Sequence, residues 1–177
     1  HATYHTSPPT TRKVRGRKSE RSELNEWFEE RRPAMLVHGI AGIGKSTLVA
    51  NWLEAIQSND EHLSVCWYPC QPWDTVTGLA VSLLHRFGID DQHDPYDLMS
   101  TLPLQPGAQL NIDLWRRRLL AYLTDARTIR DRFDPSRRGP PPYWLVVIDD
   151  AHHLTEQGGA FYGALLSLAE KTPVRLL

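Results

Sequence analysis

The chain has 177 residues with a formal net charge of −1, and 41% of its residues are hydrophobic. That is enough to bury a core in one domain, or one and a fraction. The charge gives no general pull toward nucleic acid or an anionic membrane surface, and no apolar run approaches a membrane span. The first residue is His rather than Met and no signal peptide is visible, so the sequence reads as a piece excised from a longer protein.

Residues 1–13 are Thr-, Ser- and Pro-rich and read as a flexible lead-in. The basic run Arg12 to Lys18 closes it. Ser19 is the expected N-cap of a helix with Glu20 and Glu23 in its first turn and Leu24, Trp27 and Phe28 on its apolar face. Pro33 ends that helix. Met35-Leu36-Val37 is then a short apolar run expected to be a buried strand.

Immediately after it stands Gly39-x-x-x-x-Gly44-Lys45-Ser46, the spacing of a phosphate-binding loop. Leu48, Val49, Trp52, Leu53 and Ile56 follow at helical spacing. The pattern thus lies between a strand and a helix N-terminus, where the chemistry requires it. Glycines let backbone N–H groups close on phosphate oxygens, and the helix dipole favours the anion. Gly39, Ile40, Ala41, Gly42, Ile43, Gly44, Lys45, Ser46 and Thr47 are therefore the candidate nucleotide-binding residues. Lys45 would reach the β- and γ-phosphates, and the Ser46 hydroxyl would hold Mg²⁺.

Asn59-Asp60 is a turn, and residues 62–68 read as a second strand closed by Pro69 and Pro72. Asp74 or Thr75 caps a helix whose face runs from Val76 to Phe87, with Gly88 as its C-terminal glycine. Cys66 and Cys70 lie in a Cys-x-x-x-Cys spacing without a partner His or Cys, which argues against zinc and fits reduced thiols in a cytoplasmic protein.

Asp90 to Leu110 reads as an exposed insertion, broken by Pro103, Pro106 and Gly107. Calcium is not expected there, because the alternating ligands and late Glu are missing. Asp113 to Arg132 is an expected helix. Arg116, Arg117 and Arg118 sweep about 200° around it, too wide for one basic stripe, so they read as a solvated face. Asp134 to Pro142 is a stiff linker, and the whole insertion spans 90–142.

Tyr143 to Ile148 is a continuous apolar run ending in Asp149 and Asp150. Continuous hydrophobicity indicates a strand covered on both faces, as in a parallel sheet. In such sheets the ligand lies beyond the carboxyl ends of the strands. Asp149 would meet the Mg²⁺ side of a nucleotide, and Asp150 would orient or deprotonate the attacking water, with Glu156 as fallback. His152-His153 reads as polar lining rather than a metal pair. Gly159 to Glu170 is helical, and Val174 to Leu177 begins another strand.

Gly39 to Leu48 resembles the phosphate loop of the STAND class of P-loop NTPases, which includes the NACHT, NB-ARC and MalT-like proteins. Val14-Arg15-Gly16-Arg17 resembles the upstream segment that in this class packs near the adenine, which adds Arg17 to the candidate nucleotide contacts. Val65 to Tyr68 with Trp73-Asp74 resembles the second strand of the MalT-like group. Leu145 to Leu154 resembles its Walker B strand, and Thr172 to Leu177 its sensor-1 strand.

The resemblance implies an α/β fold, a three-layer αβα P-loop NTPase with a mainly parallel central sheet, over residues 14–177. The sheet would be truncated in the sensor-1 strand, which would lie between the phosphate-loop and Walker B strands. It also implies ATP/ADP and Mg²⁺ as ligands and a nucleotide switch that hydrolyses ATP slowly and self-associates. Catalysis would rest on Lys45 and Asp150, and the metal on Ser46 and Asp149. Effector and sensor domains would lie outside these residues. Two rivals are a binding-only nucleotide module without turnover and a nucleic-acid remodelling ATPase; a small-molecule kinase is a weaker third.

Overall fold

The computed structural model describes residues 8–9, 16–57, 63–105, 107–125 and 143–177. Most of the lead-in and of the basic run, the Asn59-Asp60 turn and the 134–142 linker lie outside the described residues.

Three parallel strands, β1 (Leu63–Pro69), β2 (Tyr143–Asp149) and β3 (Val174–Leu176), stand in the order β1-β2-β3. Leu63 pairs with Tyr143 and Pro69 with Asp149, while Trp144 pairs with Val174. Ala34 continues the sheet as an isolated parallel bridge to Leu176. β3 therefore lies between the segment leading into the phosphate-loop motif and the strand ending in Asp149, the order the resemblance implies.

The apolar run of β2 is divided between the two faces of the sheet, as alternating side chains must be. Trp144 and Val146 join one buried cluster with Cys66 and Tyr68 of β1. Leu145 and Val147 join another with Val65 and Trp67. Helices α3 (Val76–Arg86), α4 (Ile112–Thr124) and α5 (Gly158–Ala169) supply the first cluster, through residues such as Leu83, Trp115 and Phe161. Helices α1 (Lys18–Glu29) and α2 (Lys45–Gln57) supply the second, through Leu24, Trp27, Trp52 and Leu53. This is the α/β layering expected of a sheet whose strands are hydrophobic on both sides.

Several local expectations need correction. Ser19 is not the N-cap of α1: the helix begins at Lys18 and Arg17 caps it, because Gly16 and Arg17 both take left-handed backbone and turn the chain into the helix earlier. Met35-Leu36-Val37 is not a strand buried on both faces. Met35 and Val37 pack against the α1–α2 cluster, but Leu36 is 80% exposed. Three apolar residues at the border of the sheet are too few to reveal that only one side is covered.

Residues 90–110 are not simply exposed. Leu98 is fully buried and Leu110 nearly so. The Asp94 carboxylate accepts from the Leu98 and Met99 N–H groups at 2.7 and 2.6 Å and nucleates a short 3-10 turn. α4 begins at Ile112, capped by the Asn111 side chain, and ends at Thr124. The Thr124 hydroxyl donates to the carbonyls of Leu120 and Ala121, and Tyr96 donates to the Asp125 carboxylate at 3.0 Å; residues 126–132 of the helix expected to run to Arg132 lie outside the described residues. Of the two candidate caps before α3, Thr75 is the one used: its hydroxyl accepts from the Gly78 N–H at 3.1 Å. Gly88, with φ near 80°, follows that helix as expected.

Candidate functional site

All of the strands point their carboxyl ends at one crevice. A cavity of about 700 Å³ opens there, lined by the 36–39 segment, Gly42, Gly44 to Thr47 and the Asp149 to His152 turn. Gly42 and Gly44 have φ near 79° and 86°, and a Cβ placed on either would meet nothing within 4 Å. Backbone conformation, not space, is what demands glycine at these two positions. The loop they shape ends at the N-terminus of α2, so its N–H groups face the cavity.

The two halves of the motif meet. Ser46 Oγ donates to Asp149 Oδ1 at 2.9 Å. The same oxygen accepts from the Asp150 N–H at 3.1 Å, so one carboxylate is oriented from two sides. Lys45 Nζ donates to the carbonyls of Gly39 and Ile40 at 3.0 and 3.2 Å, which keeps its ammonium folded over the loop. Asp150 is exposed and holds a left-handed conformation, φ 52°, at the head of a 3-10 turn, Ala151–His153. The Tyr162 hydroxyl on α5 donates to the Ala151 carbonyl at 2.6 Å and steadies that turn.

Arg17 reaches the loop without lining the cavity: its guanidinium donates to the Ile43 carbonyl. Ala41 lines the cavity, while Ile40 and Ile43 are exposed on the loop, at 77% and 42%. Thr47 is exposed beside Ser46. Glu156, the fallback base, does not line the cavity; its carboxylate accepts from the Gln109 side chain at 3.1 Å. His152 lines the cavity and His153 does not, although their rings lie 4.1 Å apart. Sequence reasoning passed over His38, which also lines the cavity. Its position directly before Gly39 was the available signal.

Cys70 follows β1 and lies behind the acidic pair. Its N–H donates to the Asp149 carbonyl at 2.9 Å. Burial, and then the carboxylates of Asp74, Asp149 and Asp150, push its thiol up to about 12 from an ordinary 9.0. Burial pushes Cys66 up to about 11, against the lowering influence of Arg86. Both thiols are free. An unfolded chain would ionise them first, so the folded state binds more protons between these values. Their contribution to stability is complete below about pH 9 and is lost as pH rises toward the folded values. Urea midpoints should therefore fall above pH 9, and Cys66→Ala with Cys70→Ala should flatten that fall; an unchanged slope in the double variant would contradict it.

A hydroxyl and a carboxylate in contact are hard oxygen donors of the kind Mg²⁺ takes. Among the described residues no three His, Cys, Asp or Glu side chains converge as a metal cluster. Mg²⁺ commonly binds through one or two protein oxygens together with substrate phosphates, and Ser46 with Asp149 fits that manner of binding.

A family model described as AAA ATPase domain matches residues 13–177. The chain belongs to that family. Its members are P-loop NTPases, so the loop at Gly39 to Ser46 stands in a nucleotide-binding ATPase domain. Among curated proteins and among solved structures, no match is found. No helix of the described residues is long and apolar enough to cross a membrane.

Proposed function

We propose that this AAA ATPase domain binds ATP and ADP with Mg²⁺ and works as the nucleotide switch of a STAND-like regulatory ATPase with slow turnover. The observation that carries the reading is the 2.9 Å contact between Ser46 and Asp149, which brings together the two side chains that would hold the metal. Lys45 would move its ammonium from the Gly39 and Ile40 carbonyls to the β- and γ-phosphates. Backbone N–H groups of Gly42 to Thr47 would wrap the phosphates at the α2 N-terminus. Bound Mg²⁺ would neutralise charge on the phosphate oxygens. Asp149 and Ser46 would hold it there, directly or through water. Asp150, exposed at the mouth of the cavity, would orient the attacking water and take its proton. Arg17, bonded to the loop through Ile43, would stand on the adenine side.

A γ-phosphate seated on this loop would bias a two-state arrangement of the longer protein and promote self-association. The buried free thiols are in keeping with a cytoplasmic setting. Arg116 and Arg118, basic residues that a nucleic-acid remodeller would use, are occupied in part. Arg118 binds Asp97 at 2.8 Å, and Arg116 faces Asp113 at 3.9 Å.

Phosphate release measured on a chain that carries this domain tests the catalytic part. Asp150→Asn should lower turnover by a factor of about 10² or more while leaving ADP affinity unchanged. Turnover equal to wild type would remove Asp150 from catalysis. A wild type that binds nucleotide and never releases phosphate would favour the binding-only module.

A further inference from the structure

A second cavity, of about 610 Å³, lies at the amino ends of the strands, away from the phosphate loop. Arg31 and Pro33, which precede the Ala34 bridge, form one wall, and Lys171 to Pro173, which lead into β3, form another. Arg175 of β3 and Leu123 at the end of α4 complete it.

Among the described residues its charge is one-sided: three cations, Arg31, Lys171 and Arg175, line it against one carboxylate, Glu170. Among the described residues none of these cations forms an ion pair, whereas neighbouring Arg32 is matched by Glu30 at 2.8 Å. Arg175 is half-buried, and its guanidinium has one hydrogen bond among the described residues, to the Val174 carbonyl at 3.2 Å. Burial, and then the facing charge of Arg31, weaken its hold on its proton. A guanidinium has five donors in a planar fork, and burying its charge is costly unless an anion answers it. Arg31 takes φ 56° just past α1, with its N–H on the Phe28 carbonyl, and lines the cavity.

We propose that this cavity is a binding site for a small, multiply charged oxyanion of the phosphate class, held by Arg175 and Arg31 with Lys171 at the rim. Bidentate guanidinium contacts suit the tetrahedral oxygens of such an anion, and Pro33, Leu123 and Pro173 give the cavity apolar walls. The site is separate from the nucleotide crevice and would respond to phosphate while nucleotide is bound.

The test is a titration of ¹⁵N-labelled protein with inorganic phosphate, at ionic strength held constant with chloride. Amides of Leu123, Thr124, Lys171, Thr172 and Arg175 report on this cavity, and those of Gly39 to Thr47 report separately on the phosphate loop. The expected result is a saturable shift in the first set, weakened about tenfold in Arg31→Gly and in Lys171→Ala, as loss of one charge-assisted contact implies. Both positions are exposed, and glycine suits the backbone at 31, so these variants should fold. Phosphate-loop shifts should be the same in both variants. A phosphomonoester in a parallel arm distinguishes an esterified ligand from the free ion, and tighter binding of either supports the proposal. Shifts confined to the phosphate loop, shifts reproduced by chloride, or an unaltered midpoint in the Arg31→Gly/Lys171→Ala double variant would overturn it.

Discussion

Lys45→Ala should weaken ATP and ADP binding by about a hundredfold or more, with no loss of fold. The Lys45 ammonium lies on the loop, 3.0 Å from the Gly39 carbonyl and 3.2 Å from that of Ile40. Those carbonyls are weak partners beside a phosphate. A charge-assisted hydrogen bond contributes about 1.5–3 kcal/mol, and an ammonium spanning two phosphates makes more than one. A loss of about 3 kcal/mol corresponds to roughly a hundredfold in affinity. Lys45 is only half-buried at the first turn of α2, so alanine there removes charge without opening the core. A fluorescent nucleotide titration, run beside a urea melt, separates the two effects. Equal affinity in variant and wild type would mean that phosphates are not held at this loop.

The largest stability effect should come from Trp144→Ala, at about 3–5 kcal/mol. Trp144 is fully buried in the central strand β2 and meets Phe87 edge-on, ring centroids 5.3 Å apart. Its backbone N–H also ties β2 to the Pro173 carbonyl at 3.0 Å. Truncation would leave a cavity between the sheet and α3 that close-packed neighbours cannot fill. A loss of that size is comparable with the whole stability of many domains. Trp144→Phe, which keeps the aromatic contact, should lose much less and should retain nucleotide binding. A urea midpoint for Trp144→Ala within error of wild type would contradict the packing described for β2. The same strand carries Asp149, so damage to this core should also appear as a weaker Mg²⁺ dependence.

Much of this arrangement was legible because the phosphate loop and the Asp149 strand are local patterns with strong physical constraints. Gly42 and Gly44 must take left-handed backbone, and residues 144–147 must face apolar layers on both sides. The pairing of Ser46 with Asp149 followed once both ends were placed at the carboxyl edge of a parallel sheet. Other features depend on neighbours distant in sequence. Leu36 looks like core until the one-sided covering of its segment is known. Leu98 and Leu110 sit among prolines and acids with no period, so their burial leaves no trace in the sequence. Glu156 and Asp150 are six residues apart, yet only Asp150 lines the cavity. The bond of Arg17 to the Ile43 carbonyl crosses from the α1 entry to the loop, and no spacing rule would supply it. The second cation cluster escaped for the same reason, since Arg31, Lys171 and Arg175 belong to opposite ends of the chain.

Ser46 and Asp149, with the loop at Gly39 to Lys45, are proposed to form a Mg²⁺-nucleotide site. Calorimetric titration of ATP into the protein, with Mg²⁺ and with the metal chelated, tests it most directly. The expected result is saturable binding that tightens about tenfold or more when Mg²⁺ is present, and loss of that gain, without loss of metal-free binding, in Asp149→Asn. No saturable binding, or a Mg²⁺ gain that survives Asp149→Asn intact, would contradict it.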